Sequence, residues 1–556
     1  MKKTHSVTEN FRAASIYFGG SLSNATDERH DTIPIATQTM TKSAETEPGY
    51  VTDVPYVRQF CSELNPALLR ATAALAGCPP PEGEDFDYCE LGSGLGDTIA
   101  TFAAAYPRAR FVGIDLNAEH IDAARGLAAR GNLENVRFLE RDLEDLAADE
   151  LPRFDYVCAH GLVSWIAPEK RASLFARAAA WLKPGGLLYV GYNALPGWAA
   201  VEPLRRLMLD ASSDVPGGTE ARVRHALAAV KLLCEADAEY FVANPSAKNV
   251  LATLLERGAP YAAHEFFNAH WHPLYFADVA EEAARGDLRF VGQLPLHLNF
   301  RDLAIAPALR EASRIVSERR AWEHLRAFAT NEFFRRDVYV KGAVAHAENT
   351  RHAYLETTAF GTLAPAAEIK REIALPNRAL HFTGPLFDAV IETLAARSST
   401  VQELATTPPL APFGIDAIRQ AVLQLLMGPD VIPVSSSSET PDVAGSLFQI
   451  PSAFNRAILA QPLSPNHPIV LASPVAGTGL SISMLHAVLL RAVTEARPEH
   501  RAAWLRTFVV ANPLRVWEHG QALNAKDDLA RVLEVELEHF CATHLPKLIE
   551  LGIVEA

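Results

Sequence analysis

A chain of 556 residues is too long for one hydrophobic core and implies three or four domains. With 49% hydrophobic and 21% charged residues it has the composition of an ordinary globular protein, not of a disordered or fibrous one. The formal charge of −15 speaks against nucleic acid as the default partner, because phosphate binding needs a basic surface, and is compatible with a lysine-bearing partner.

Residues 1–48 are rich in Thr, Ser and Asn and read as a flexible N-terminal tail. Lys2 and Lys3 are followed by polar residues rather than the apolar run of a signal peptide. The longest apolar stretch, Pro468 to Val493, is broken by Pro474, Gly477, Gly479 and His486, so no membrane insertion is expected. The six cysteines show no C-x-x-C spacing, which excludes a zinc knuckle or redox pair of that kind and fits a cytoplasmic location.

From 49 to 203 strands alternate with helices. Strands are expected at Asp87–Leu91, Arg110–Asp115, Val136–Glu140, Asp155–Ala159 and Leu187–Tyr192, with helices such as Thr98–Ala105 and Glu119–Ala129 between them. This alternation predicts an α/β fold, a doubly wound Rossmann-like sheet covered on both faces. Residues 204–336 read as a mostly helical middle domain, with helices at Ala221–Ala236, Lys248–Arg257 and Ala277–Arg285 and a strand at Leu288–Val291; residues 337–380 read as a connecting segment. From 381 to 556 an α+β, winged-helix-like domain is expected. One apolar face runs from Leu386 to Leu394, Thr400 and Glu403 form a capping box, Ile415–Met427 is a third helix and Val431–Val434 a strand.

The most informative segment is Phe86 to Asp97, F-D-Y-C-E-L-G-S-G-L-G-D. A strand runs into Glu90, then Gly92, Ser93, Gly94 and Gly96, then a helix; the glycines let a ligand approach the backbone closely. A dinucleotide fingerprint would place its third glycine at 97, where this chain has Asp97, and an acid two residues ahead of Gly92 would repel a pyrophosphate. S-adenosyl-L-methionine carries a sulfonium and an ammonium, and the acid suits it. Asp115, ending the second strand and followed by Leu116, is placed to accept from both ribose hydroxyls, and Asp142 to take the adenine amino group with Leu143 against the ring.

Past the fourth strand come His160 and Trp165 in H-G-x-x-S-W, and the fifth runs into Tyr192 and Asn193 of Y-N-x-L-P-G-W, ending at Trp198. These segments resemble class I methyltransferases that carry a methyltransferase regulatory domain, a group that includes rickettsial-type protein lysine methyltransferases acting on outer-membrane proteins. Tyr50, Pro55 and Tyr56 match the family's segment before the fold, which adds Tyr56 to the cofactor-binding set. His264 to Asn268, Pro273 to Phe276 and Phe334 to Asp337 resemble its middle domain, and Leu471 to Val475 with Gly477 its C-terminal domain. The resemblance implies S-adenosyl-L-methionine as methyl donor, with S-adenosyl-L-homocysteine as product.

A lysine amine must shed its proton before it attacks, and an apolar, aromatic pocket favours the neutral form. Tyr192, Asn193, Trp165 and Trp198 are the candidates to line such a pocket, with Tyr192 or Asn193 orienting the amine. His160 either accepts a proton, contacts the cofactor or caps the next helix. Core packing is the alternative for both tryptophans, and a plain strand end for Tyr192. His264, His270 and His272 lack the accompanying residues of a zinc site, and no metal is expected. Three functions follow: methyl transfer to lysine side chains of a protein, held by the 350 or so residues outside the catalytic fold; N- or O-methylation of a small molecule or peptide, with the extra domains serving homodimer formation or lid closure; or cofactor-binding regulation without catalysis.

Overall fold

A computed structural model of the chain describes residues 15–18, 51, 53–54, 58–147, 149–342, 347–375, 378–435, 448–464, 468–512, 514–518, 521–523 and 526–555. Tyr50, Pro55 and Tyr56 lie outside these residues, as does nearly all of the N-terminal tail.

The centre of the molecule is a seven-stranded sheet. Its strands are β1 (Asp87–Leu91), β2 (Arg110–Asp115), β3 (Val136–Glu140), β4 (Phe154–His160), β5 (Leu182–Asn193), β6 (Leu288–Gln293) and β7 (Phe334–Lys341). They lie in the order β3-β2-β1-β4-β5-β7-β6. The five strands from β3 to β5 are parallel, β7 runs antiparallel to β5, and β6 antiparallel to β7. Side-chain alternation splits the strands between two cores. On one face Tyr88, Phe111, Tyr156 and Tyr189 pack beneath helices α1 (Pro66–Leu75), α2 (Asp97–Ala105) and α3 (Ala118–Arg130). On the other, Cys89, Val112, Val157 and Leu188 pack beneath α4 (Pro168–Trp181) and α9 (Phe276–Arg285). Local chemistry sets the helix starts: Asn117 accepts from the amides of Glu119 and His120 at the head of α3, and Pro168 opens α4.

The sheet differs from the expected boundaries. β6 and β7 belong to it although they fall in the stretches assigned to a middle domain (204–336) and a connecting segment (337–380), so the sheet itself runs past residue 203. Arg335, Arg336 and Asp337 disguise β7 as a polar loop; Arg335 and Asp337 are fully buried and pair with each other, and Arg335 also pairs with Glu323 and Glu332. Between β5 and β6 lies a helical insertion: α5 (Glu202–Ala211), α6 (Thr219–Glu235), α7 (Glu239–Ala243), α8 (Pro245–Phe266) and α9, with a core of its own over α5 to α8. Gly258, at φ +83, followed by Pro260, breaks α8, which is why the helix was legible only up to Arg257.

Beyond the sheet, β8 (Ala359–Thr362) pairs antiparallel with β9 (Ser399–Thr400) and β10 (Val431–Pro433). The sheet is covered by α11 (Pro385–Ala396), α12 (Val401–Thr406) and α13 (Ile415–Leu425), with α10 (Arg319–Thr330) preceding them in the chain. Thr400 and Glu403 form both hydrogen bonds of the capping box at 3.1 and 2.7 Å. Val390, Leu404, Ile418 and Val422 join the same continuous core as Tyr88 and Phe111, so these helices dock on the catalytic sheet's own layer. The hairpin β11 (Ile469–Ser473) and β12 (Thr478–Ile482) turns at Gly477, which has φ +62 and lies where any Cβ would collide with the Tyr106 hydroxyl. Among the described residues no helix is long and apolar enough to cross a membrane.

Candidate active site

The strand order reverses between β1 and β4, and open α/β sheets bind ligands at the carboxyl ends of their strands beside such a reversal. The glycine loop sits there. Gly92, Gly94 and Gly96 have φ of +71, +52 and +76, a run of conformations that side chains disfavour. The loop is pinned by the amides of Gly92 and Ser93, which donate to the Ile114 carbonyl at 2.8 and 3.0 Å. A Cβ on Gly96 would lie 2.7 Å from that of Ala124, so the approach of α2 to α3 also requires glycine.

Asp115 accepts from the Gly94 amide at 2.8 Å and from the Asn117 amide at 2.9 Å, which ties the second strand tip to the loop. Glu90 is 6% exposed, and its Oε2 has no hydrogen-bond partner among the described residues. Burial, with Asp115 and Asp97 close by, pushes its carboxyl up to about 8. Burial likewise pushes Asp97 up to about 6, against the pull of Arg58 at 2.5 Å. A buried acid with an orphaned oxygen beside two further acids is short of positive charge. The cluster fits the sulfonium and ammonium of S-adenosyl-L-methionine and opposes a pyrophosphate.

Two adjoining cavities of about 150 and 360 Å³ share Gly92, Gly94, His160 and Trp165. The smaller is lined by Asp115, Leu116, Asp142 and Leu143, as expected of an adenosine end. Asp142 is already engaged: Lys170 donates to it at 3.0 Å, as does the amide of Glu144, and these interactions hold its carboxyl below the usual range despite burial. The larger is lined by Glu90, Ser93 and Asp97 on one side and by Asn193, Trp165 and Trp198 on the other. Asn193 is 5% exposed; its amide nitrogen donates to Ser164 Oγ at 3.0 Å, while its side-chain Nδ2 has no partner among the described residues.

Tyr192 is not at this site. Its neighbour Asn193 ends β5 on the cavity side, and strand alternation turns Tyr192 into the opposite core, where its hydroxyl donates to Asp337 at 2.7 Å. Trp198 lines the cavity, but it is also a packing residue: its Nε1 donates to the Phe333 carbonyl at 2.7 Å and its ring packs on Phe266 and Trp271. His160 shares a 2.9 Å hydrogen bond with the Tyr189 hydroxyl. Burial lowers its pKa, Arg336 adds to that and Glu63 opposes it, so the imidazole is neutral near pH 7. His264 donates from Nε2 to the Val54 carbonyl at 3.0 Å, and the His270 and His272 rings stand 6.1 Å apart; among the described residues no group of three or more metal-binding side chains converges.

The structure adds residues that sequence reading missed. Glu63 pairs with Arg336 at 2.9 Å, and though burial favours its neutral form, the guanidinium beside it holds the carboxyl below its usual range. Tyr261 and Glu265, from the part of α8 beyond the Gly258 break, close the cavity from the insertion side, and Phe334 closes it from β7. Burial pushes Glu265 up to about 7. The offset of Tyr261 and Glu265 by four along a helix was the available signal, but nothing in it says which helix faces β5.

Comparison with known proteins agrees with this geometry. The description "methyltransferase domain" matches residues 89–186, and "predicted methyltransferase regulatory domain" matches 259–341. An uncharacterised protein of Synechocystis sp. is 30% identical over 506 residues, 91% of this chain and 99% of its own. An uncharacterised protein of Rickettsia prowazekii is 28% identical over 322 residues, 57% of each chain. The solved structure of PKMT2 from Rickettsia typhi in complex with AdoHcy superposes with a TM-score of 0.71 at 17% identity, covering 90% of this chain and all of that one. The fold and its acid-and-glycine cleft are those of a class I S-adenosylmethionine-dependent methyltransferase. The chain belongs to the family of the Synechocystis protein and carries a methyltransferase domain with a regulatory domain behind it.

Proposed function

We propose that the protein transfers methyl groups from S-adenosyl-L-methionine to lysine side chains of a protein substrate. The observation that carries this reading is the larger cavity. Beside the glycine loop it gathers Glu63 and Glu265 with Trp165, Tyr261 and Phe334, and ends on Asn193, whose side-chain Nδ2 has no partner among the described residues. Carboxylates attract an ammonium, aromatic faces strip water from it, and a low-polarity wall favours its loss of a proton before attack. The methyl donor supplies the electrophilic carbon; the protein's part is to hold the amine in line and orient its lone pair, which Asn193 is placed to do. Neutral His160 is the residue available to take the proton. The motif resemblance to protein lysine methyltransferases supports the same reading, as does the likeness to the protein named PKMT2.

The test is incubation with methyl-labelled S-adenosyl-L-methionine and, in parallel, lysine-rich proteins and a pool of small metabolites. Label in methyl-lysine after acid hydrolysis of the protein fraction is the expected result. Label confined to small molecules would sink the proposal and favour a biosynthetic N- or O-methyltransferase.

A further inference from the structure

Behind the Glu63–Arg336 pair lies another cavity, of about 550 Å³. Glu63 and Arg336 line both this cavity and the one at the methyl-transfer end, so the ion pair is the partition between them. Past the partition the walls turn aliphatic. Leu68 comes from α1, Leu294 from the end of β6, Leu363 from the end of β8 and Met427 from the end of α13, so that the catalytic fold and the C-terminal part each supply one side. Its border also includes a two-stranded antiparallel hairpin, Glu372–Leu375 with Arg378–His381, which has no third strand among the described residues.

Ile373, Ala374 and Leu375 all line this cavity. Successive side chains of a strand point to opposite faces, so three consecutive lining residues mean that the strand presents its edge to the space. A strand edge offers a row of backbone N–H and C=O groups, the surface on which an extended peptide adds itself as another strand.

We propose that this cavity holds an extended, apolar segment of the polypeptide acceptor along the edge of Glu372–Leu375, with the adjoining lysine passing the Glu63–Arg336 partition to reach Asn193. The inference rests on the protein-lysine reading above and names the sequence context in which lysine is taken. Aliphatic walls alone would suit a fatty chain, but a strand edge is matched only by a ligand that carries its own backbone amides. An arriving ammonium exchanges for the Arg336 guanidinium as the partner of Glu63, so passage leaves no buried carboxylate unpaired.

The experiment uses the full-length enzyme and two synthetic peptides, each with one lysine, flanked by Val and Ile in one and by Ser and Asn in the other. The expected result is a kcat/KM about tenfold or more higher for the apolar-flanked peptide. Leu375→Asp and Leu363→Asp, at half-buried positions, should bring that ratio close to one. Retained binding of S-adenosyl-L-homocysteine reports that each variant is folded. In a second readout, a fluorescent apolar-flanked peptide with norleucine in place of lysine should bind the product-loaded enzyme, and both variants should weaken it about tenfold. Equal turnover of the two peptides, or a preference that survives both substitutions, overturns the cavity inference while the lysine reading stands. Variant-sensitive binding of the norleucine peptide without methylation of either lysine peptide supports the cavity and overturns the lysine reading. No peptide binding or turnover, with methyl-lysine still formed in whole proteins, overturns the cavity inference alone.

Discussion

Among the described residues no cation pairs with the Glu90 carboxyl, and this gives cofactor binding a pH dependence with a definite sign. Burial, with Asp115 and Asp97 beside it, pushes the group up to about 8, so at pH 6.5 it is neutral until a cation pairs with it. A bound sulfonium and ammonium favour the carboxylate, so binding releases a proton and affinity rises with pH. Calorimetry in two buffers of different ionisation enthalpy should show proton release, with Kd falling as pH rises from 6.5 to 7.5. Glu90→Gln should weaken binding by about 1.5–3 kcal/mol and flatten that slope. An unchanged slope would mean that another group titrates. Asn193→Ala makes the complementary case: its Nδ2 has no partner among the described residues and the residue lines the larger cavity, so S-adenosyl-L-homocysteine affinity should hold while kcat drops about a hundredfold. Loss of affinity without loss of kcat would reassign Asn193 to the cofactor.

At the scale of elements, β5 and β7 decide where chemistry can occur. Tyr192 and Asn193 are neighbours with opposite fates because a strand turns them to opposite faces. Tyr192→Phe should therefore act on stability: Asp337 loses a buried donor, at a cost of about 1–3 kcal/mol in denaturant unfolding, with kcat within about twofold of the parent. A large fall in kcat at unchanged stability would return Tyr192 to the reaction. The parallel strands were legible because each is a short apolar run ended by a turn or an acid; β1, β2 and β3 lie at the residues expected of them. β5 begins five residues before its expected start because Leu182 pairs with Phe154 ahead of an irregularity in the register. β7 stayed hidden because Arg335 is buried against Glu323, 12 residues earlier, and Arg336 pairs with distant Glu63, partners that no local pattern reveals. The cofactor half of the site was legible since Glu90, the glycines and Asp115 follow strand ends directly. The acceptor half was not, because Glu63, Glu265 and Arg336 converge from three distant segments.

For the molecule as a whole, the shared core matters most. Val390, Ile418 and Val422 of the C-terminal helices pack in one continuous cluster with Ile99 and Phe102 of α2 and with Tyr88 and Phe111 of the sheet. The glycine loop opens α2, so the cofactor site is braced by chain that lies about 300 residues later in the sequence. Differential scanning calorimetry should give these parts one joint unfolding transition, and residues 1–380 alone should be insoluble or fail to bind S-adenosyl-L-homocysteine. Two separate transitions, or a truncated chain with full affinity, would show that the parts are independent.

The most direct measurement titrates the purified full-length chain with S-adenosyl-L-methionine by calorimetry, alone and in excess NADH. The acid-lined loop predicts one binding site per chain that releases a proton and is indifferent to NADH. Absence of binding, or displacement by NADH, would contradict the assignment of this cleft to a cationic methyl donor.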